Sequence, residues 1–161
     1  MTDAPGGDRG VIAPDTDRLL LDVMLGKLAV YFRVCGYDAA YALDRGIEDD
    51  DRLATLAEGE SRRLLTRDVE LAASVDGAVL VTALELNDQL AELREAGFAL
   101  AIADLPTHCG RCNGILDPVP SESETPEYAP DPASTDCWRC RSCGQVFWKG
   151  SHYDRIDEML G

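Results

Sequence analysis

The chain reads as an α/β protein, a mostly parallel sheet flanked by helices, followed by a small module of paired cysteines. Short apolar runs alternate with stretches of helical period as far as Pro106. Such a strand, helix, strand order needs crossover helices, and it buries a parallel sheet on both faces. Five of the six cysteines then crowd between Cys109 and Cys143 in paired spacing, a pattern of metal binding in a reducing compartment.

Arg18 to Val23 is an apolar run broken by Asp22, which suits a buried strand with a carboxylate at its carboxyl end. Leu25, Leu28, Ala29 and Phe32 recur at i, i+3, i+4 and i+7, a helix that Gly36 stops. Tyr37 to Ala42 reads as the second strand. Asp49, Asp50 and Asp51 sit where a helix start favours negative charge, ahead of Leu53, Leu56 and Ala57, and Gly59 weakens the far end. Arg63 to Thr66 is the third strand and delivers Thr66, Arg67 and Asp68 into the loop after it; Ala78 to Thr82 is the fourth. Asn87 or Asp88 caps a helix whose Leu90, Leu93 and Ala96 share a face and which Gly97 ends, and Phe98 to Ala103 is a last strand. Tyr153 to Leu160 forms a short terminal helix, and no internal repeat is visible.

The domain plan that follows has a leader over residues 1–17, rich in Asp, Gly and Pro and expected to be disordered. The α/β domain spans 18–106, the cysteine module 107–152, and the terminal helix 153–161. Within the module, Pro118 to Asp136 is loaded with Pro, Ser and Glu and is expected to be a mobile loop.

At 161 residues with 45% apolar composition, disorder throughout is excluded. The longest apolar stretches, Leu19 to Leu21 and Ala78 to Val81, are far below a membrane span, and the expectation is a soluble cytoplasmic protein. A net charge of -15 argues against a nucleic-acid partner, which ordinarily needs a basic face. Only Lys27 and Lys149 among the 15 basic residues are lysine, however, and Asp outnumbers Glu. That balance resembles halophilic proteins of high-salt cytoplasms, where a Debye length of roughly 3 Å confines repulsion to close range. Acidity then reports habitat and solubility more than ligand.

A structural zinc takes four thiolate or imidazole ligands in a tetrahedron, and two Cys-x-x-Cys turns each supply two. The chain offers Cys109-Gly-Arg-Cys112-Asn-Gly and Cys140-Arg-Ser-Cys143-Gly. Glycine after the second cysteine of a pair admits positive φ, so that amides can point at the sulfurs. Cys137 also stands in Cys-x-x-Cys spacing, with Cys140, but no glycine follows that pair, and it is expected to be a spare thiol. A redox pair would be single and would open a helix, so Cys109, Cys112, Cys140 and Cys143 are expected to form a zinc ribbon. His108 and His152 stay outside the ligand set, and Cys35 falls on an apolar helix face as an inert buried thiol.

Functional groups of open parallel sheets gather where strands end. Asp22 and Asp68 both end strands, and Asp50 can complete a third side from a helix start. Carboxylates so placed hold Mg²⁺ or Mn²⁺, which activates water and neutralises charge on a phosphodiester. Equally, Asp22 can pair with an arginine such as Arg67 while Asp49 to Asp51 merely cap a helix; spacing leaves both readings open.

The stretches Asp22-Val-Met-Leu-Gly-Lys27-Leu-Ala, Arg33-Val-Cys-Gly-Tyr-Asp38, Leu64-Leu-Thr-Arg-Asp68 and Trp148-Lys-Gly-Ser-His152 resemble one family. It is the RNase domain found at the carboxyl end of the Mut-seven exonuclease and as free-standing prokaryotic proteins, a PIN-like fold followed by a zinc ribbon. The resemblance runs from about Arg18 to Ile156. It implies a metal-dependent ribonuclease that hydrolyses RNA phosphodiester bonds, with Asp22, Asp50 and Asp68 as the acids around a Mg or Mn ion. Asp50 is preferred to Asp49 and Asp51 because its distance to Ala57 and Thr66 fits the PIN-like pattern, and Asp88 is the candidate for a fourth acid. The acidic leader, the long loop and the overall charge depart from the family, so a catalytically silent RNA- or protein-binding zinc-ribbon module is the alternative.

Arg111, Arg139, Arg141 and Lys149 are interleaved with Trp138, Phe147, Trp148 and Tyr153 around the ribbon. Cations along the backbone and aromatic faces under the bases are how single-stranded RNA is held. The ribbon is therefore expected to present RNA to the acidic site, although half or more of these aromatics should pack against the first domain. Arg62, Arg63 and Arg67 are further candidates to reach phosphate.

Overall fold

A computed structural model describes residues 12–160, so the expected leader lies outside the described residues up to position 11. Strands β1 (Arg18–Leu21), β2 (Ala39–Tyr41), β3 (Arg62–Thr66) and β4 (Val79–Leu80) form one parallel sheet in the order β2-β1-β3-β4. Helices α1 (Gly26–Val34), α2 (Asp50–Gly59) and α3 (Val69–Ser74) fill the crossovers, and α4 (Leu86–Glu95) follows β4. Because side chains alternate along a strand, Leu19 and Leu21 enter one core with Leu28, Phe32, Leu90 and Leu93, whereas Leu20 and Leu64 enter another with Leu53, Ala57 and Leu71. Helices α1 and α4 thus cover one face, α2 and α3 the other, which is the layering expected of a sheet that is apolar on both sides.

Helix α1 follows a 3₁₀ turn at Val23–Leu25 and ends at Cys35, with Gly36 left-handed at φ 94°. Gly26 is needed at its start, since a β-carbon there would lie 2.9 Å from the Tyr41 hydroxyl oxygen.

Four expectations change. Phe98 to Ala103 is not a strand of the sheet: Phe98 forms only an isolated bridge with Ile12. The amides in this stretch bond elsewhere, Ala99 to the carbonyl of Ile12 at 2.8 Å and Ala103 to that of Val34 at 3.2 Å. The same bridge orders the end of the leader, where Ile12 is buried and the Tyr37 hydroxyl lies 2.8 Å from both the Ile12 and Ala99 carbonyls. Helix α3 was not anticipated, because six residues of mixed polarity carry no readable period. Helix α4 starts at Leu86 after Glu85, without a side-chain cap, so neither Asn87 nor Asp88 is the cap.

Strands β5 (Leu116–Pro118), β6 (Cys137–Cys140) and β7 (Val146–Trp148) form the antiparallel sheet of the ribbon. Its own core is small, Leu116 and Trp138 beside the cysteines with Phe147 partly buried. Between β5 and β6 the Pro118 to Asp136 segment runs through tight turns, and its Tyr128 hydroxyl accepts from the amide of Val146 at 3.0 Å. Helix α5 (Ser151–Leu160) then returns to the first domain, burying Tyr153, Ile156 and Leu160 in the core beneath α1 and α4.

The ribbon is joined at the amino edge of the large sheet. Buried Arg33 donates to the carbonyls of Ala39 at 2.9 Å and Gly110 at 3.0 Å. Asn113 accepts from the Ala39 amide at 2.9 Å and donates to the Asp38 carboxylate at 2.7 Å. Lys149 donates to the carbonyl of Asp104.

Candidate functional site

The chain leaves β1 on one side to make β2 and returns to the other side of β1 to make β3. The carboxyl ends of β1 and β3 therefore flank a topological switch point, where loops diverge and leave a crevice. Asp22 follows β1 there, its amide donating to the Leu65 carbonyl at 3.0 Å. Its side chain is 6% exposed and accepts from the Val23 amide and from the Thr66 hydroxyl, each at 2.7 Å. Thr66, the last residue of β3, is fully buried, and its hydroxyl oxygen also accepts from the Asp68 amide at 3.0 Å. One hydroxyl thus links the first acid to the backbone of the second.

Asp68 caps α3, with one carboxylate oxygen accepting from the amides of Glu70 at 2.9 Å and Leu71 at 3.1 Å. The other oxygen makes no hydrogen bond among the described residues. Asp50 stands exposed in the first turn of α2, and its carboxyl is pushed above the ordinary 3.8 by desolvation, then by the charges of Asp68 and Asp22 ahead of those of Asp49 and Asp51. Asp50 therefore feels the two strand-end acids more than its own sequence neighbours. The three carboxylates share a field but not one tight shell: among the described residues, only the four cysteines bring ligand atoms within 4.8 Å of one another.

The rival reading of Asp22 does not hold, since its partner is Thr66 and not Arg67. Arg67 reaches the Thr82 carbonyl at 3.4 Å and has no ion pair among the described residues. Asp49 precedes α2 without making a side-chain cap. Arg62 and Arg63 lie at the start of β3, on the amino edge, where Arg62 pairs with Asp38 at 2.8 Å and Glu60 at 2.6 Å, and Arg63 with Asp17 at 3.0 Å. Asp88 is exposed on α4. One turn further on, Glu92 is the acid that reaches the end of β4, accepting from the amides of Thr82 at 3.0 Å and Ala83 at 3.1 Å. Glu92 was missed as part of this edge, and so was the bonding role of Thr66, whose hydroxyl at the end of an apolar strand, two residues before Asp68, was its readable trace.

At the other edge, the four ribbon cysteines converge as their spacing predicts. Cys109 and Cys143 sulfurs are 3.7 Å apart, and Cys112 and Cys140 sulfurs 3.5 Å. A tetrahedral site with Zn–S bonds of about 2.3 Å needs sulfurs about 3.8 Å apart. The donor set therefore fits a structural metal such as zinc. Amides of Ser142 and Cys143 point at the Cys140 sulfur from 3.3 and 3.4 Å. Burial raises the Cys140 thiol, but those amides and the neighbouring sulfurs outweigh it and bring the group to about 7. Gly144 takes the left-handed turn of the second knuckle at φ 78°, whereas in the first knuckle Asn113 takes it at φ 70°. Gly114 serves for closeness instead, since a β-carbon there would lie 2.6 Å from the Cys140 sulfur. Cys137 stays outside the cluster, near the Thr135 carbonyl at 3.4 Å, as do both histidines.

Of the ribbon cations, Arg141 pairs with Asp117 at 2.8 Å and Arg139 donates to the Glu124 carbonyl at 3.2 Å. Trp138 and Tyr153 are buried, while Phe147 and Trp148 are partly exposed. Because the ribbon docks at the amino edge, it does not stand over the acids as expected.

Among the described residues no helix is long and apolar enough to cross a membrane. No curated protein and no solved structure matches the chain. The family model of the Mut7-C RNAse domain matches residues 17–160, nearly the whole of the described chain, and the protein belongs to that family.

Proposed function

We propose that the chain is a metal-dependent ribonuclease in which Asp22, Asp50 and Asp68 hold one Mg²⁺ or Mn²⁺ at the carboxyl edge of the sheet. When bound, the ion supplies an activated water and neutralises charge on the phosphodiester under attack. The observation that carries the reading is the Thr66 hydroxyl, which joins Asp22 to Asp68 at the switch point while Asp50 sits in the field of both. Asp22, fixed by its bonds to Thr66 and Val23, would hold the ion through its remaining lone pairs, Asp68 through the oxygen not used as a cap, and Asp50 from the exposed turn, where a cation would relieve its repulsion. All three donors are hard oxygens, which suits these ions. The four cysteines hold a structural zinc, and single-stranded RNA is the substrate. Six cysteines with no disulfide among the described residues, together with the acidic composition, fit a reducing, high-salt cytoplasm.

Cleavage of end-labelled single-stranded RNA, measured in strong salt with Mg²⁺ or Mn²⁺ titrated in, tests this. Asp22→Asn and Asp68→Asn should each lower the rate by a hundredfold or more with zinc content and circular dichroism unchanged. Undiminished cleavage by the doubly substituted protein would remove both acids from the mechanism.

One observation favours a second reading, a silent binding module: each strand-end acid already has a structural partner, and their oxygens do not gather within 4.8 Å. RNA binding without turnover at any concentration of either ion would select it.

A further inference from the structure

Two adjoining hollows lie where the ribbon meets the first domain. The larger, about 360 Å³, is lined by Val30 and Val34 of α1, by His108 and Arg111 of the first knuckle and by Phe147 of β7. The smaller, about 230 Å³, runs on along β7 past Trp148 to Ser151 at the start of α5. Gln145, Phe147, His152 and Tyr153 border both, so the hollows form one trough with an aromatic ring between its halves.

Charge sets this trough apart. The chain carries 30 Asp and Glu, yet among the described residues none lines either hollow. Both of its histidines do, together with Arg111, whose guanidinium bonds the Gln145 side-chain oxygen at 3.1 Å and has no carboxylate partner among the described residues. Three other hollows of comparable size each include an acid: Asp117 in one, Glu58 and Asp76 in another, Asp17 and Asp76 in a third. A protein of net charge -15 has thus kept one apolar, aromatic trough free of anions and rimmed with cationic or hydrogen-bonding side chains. Two successive hollows around a ring match two successive bases, with the flanking phosphates meeting Arg111 and His152.

We infer that this trough anchors single-stranded RNA by two neighbouring nucleotides, at a place separate from the acidic edge. The inference rests on the ribonuclease reading for the identity of the ligand as RNA, and it adds a second point of attachment. The trough borders the half of α1 that ends at the amino edge, whereas the acids lie at the carboxyl edge, across strands of four and five residues, roughly 13–17 Å. A substrate must therefore be several nucleotides long to occupy both.

Fluorescence anisotropy of a labelled twelve-nucleotide RNA with the full, zinc-loaded chain tests the anchor. Arg111→Glu combined with His152→Glu should weaken binding by at least about tenfold. Arg155→Glu, an exposed change on α5 away from the trough, should leave it within about twofold. Equal loss in both variants would reduce the effect to net charge and overturn the anchor, as would no loss in either. Because Arg111 lies between two zinc ligands, the wild-type protein supplies an independent arm: RNA carrying 4-thiouridine is irradiated on it and the adducts are mapped by mass spectrometry. Adducts at Phe147, Trp148 or Tyr153 are expected, and adducts confined to the loops of the acidic edge would overturn the anchor. Cleavage that persists with adducts only at the acidic edge defeats the anchor alone; absence of any RNA binding by the wild type defeats the ribonuclease reading with it.

Discussion

The hydroxyl of Thr66 is the smallest group on which the carboxyl edge depends. It donates to a carboxylate that is 6% exposed and accepts from the amide of Asp68. Thr66→Val keeps the shape and deletes both bonds, leaving Asp22 Oδ2 without its donor, with only Oδ1 still bonded to the Val23 amide, in a place water barely reaches. A loss of about 1–3 kcal/mol in urea unfolding is expected, with a larger fall in cleavage than for Thr66→Ser, which keeps the hydroxyl. An unmoved midpoint for the valine variant would show that Asp22 does not rely on this bond. Asp50 works in the opposite sense. Desolvation and the charges of Asp68 and Asp22 raise its carboxyl, so the folded state favours the protonated form, and the strain is fully present above the raised value and relieved as pH falls through it. Asp50→Asn should therefore raise the melting temperature of the metal-free protein at neutral pH while removing Mg²⁺-dependent cleavage; a lowered melting temperature would contradict the repulsion. Asp22 and Asp68 were legible because a charge ending an apolar strand is conspicuous. The role of Thr66 was not, because its partner depends on the register that sets Leu21 beside Leu65, and register is a property of two strands at once.

Among the elements, the first knuckle does more than supply two of the four clustered cysteines. Asn113 holds a left-handed turn at φ 70° and ties the ribbon to β2 with two hydrogen bonds. Asn113→Ala should cost about 2–4 kcal/mol, combining two lost bonds with the loss of asparagine's tolerance of the left-handed region. Asn113→Gly, which keeps the turn, should cost less, and equal losses would place the whole effect in the bonds. The same joint predicts an acid dependence. Burial raises Asp38, but hydrogen bonds from Arg62 and Asn113 outweigh it and hold the carboxyl below its ordinary 3.8, while bonds from Arg45 and Arg62 draw half-buried Glu60 down to about 2. Depressed acids contribute stability that is complete above their unfolded values and is lost as pH falls through the folded ones. Melting temperature should thus drop between about pH 4.5 and 2, and Asp38→Asn should flatten part of that slope; an unchanged slope would exclude the joint as its source. The four strands and three longer helices of the first domain were legible from period and punctuation. The Phe98 to Ala103 stretch was misread because its apolar content comes from burial against α1 and the Ile12 bridge rather than from pairing in the sheet, and those neighbours are distant in sequence.

Over the whole molecule the order of the chain ties the ribbon to the α/β domain through a shared core helix. The ribbon is inserted between Pro106 and α5, and α5 carries Tyr153, Ile156 and Leu160 back into the core formed by β1, α1 and α4. Arg94 of α4 secures the far end of that helix through the Leu160 carbonyl. Loosening the knuckles therefore releases the linkage that positions a core helix as well as a peripheral module. The ribbon by itself, with Leu116, Trp138 and the cysteines as its core, is too small to persist without its ion. Removal of the metal by a strong chelator under reducing conditions should expose Trp138 at once, seen as a red shift of its emission. It should also lower the unfolding midpoint of the α/β domain, followed by far-ultraviolet circular dichroism, so that both signals move in one transition. Cys112→Ser should reproduce the result without chelator. Two separate transitions, with the circular dichroism midpoint unmoved, would mean that α5 holds its place without the ribbon and that the two parts fold independently.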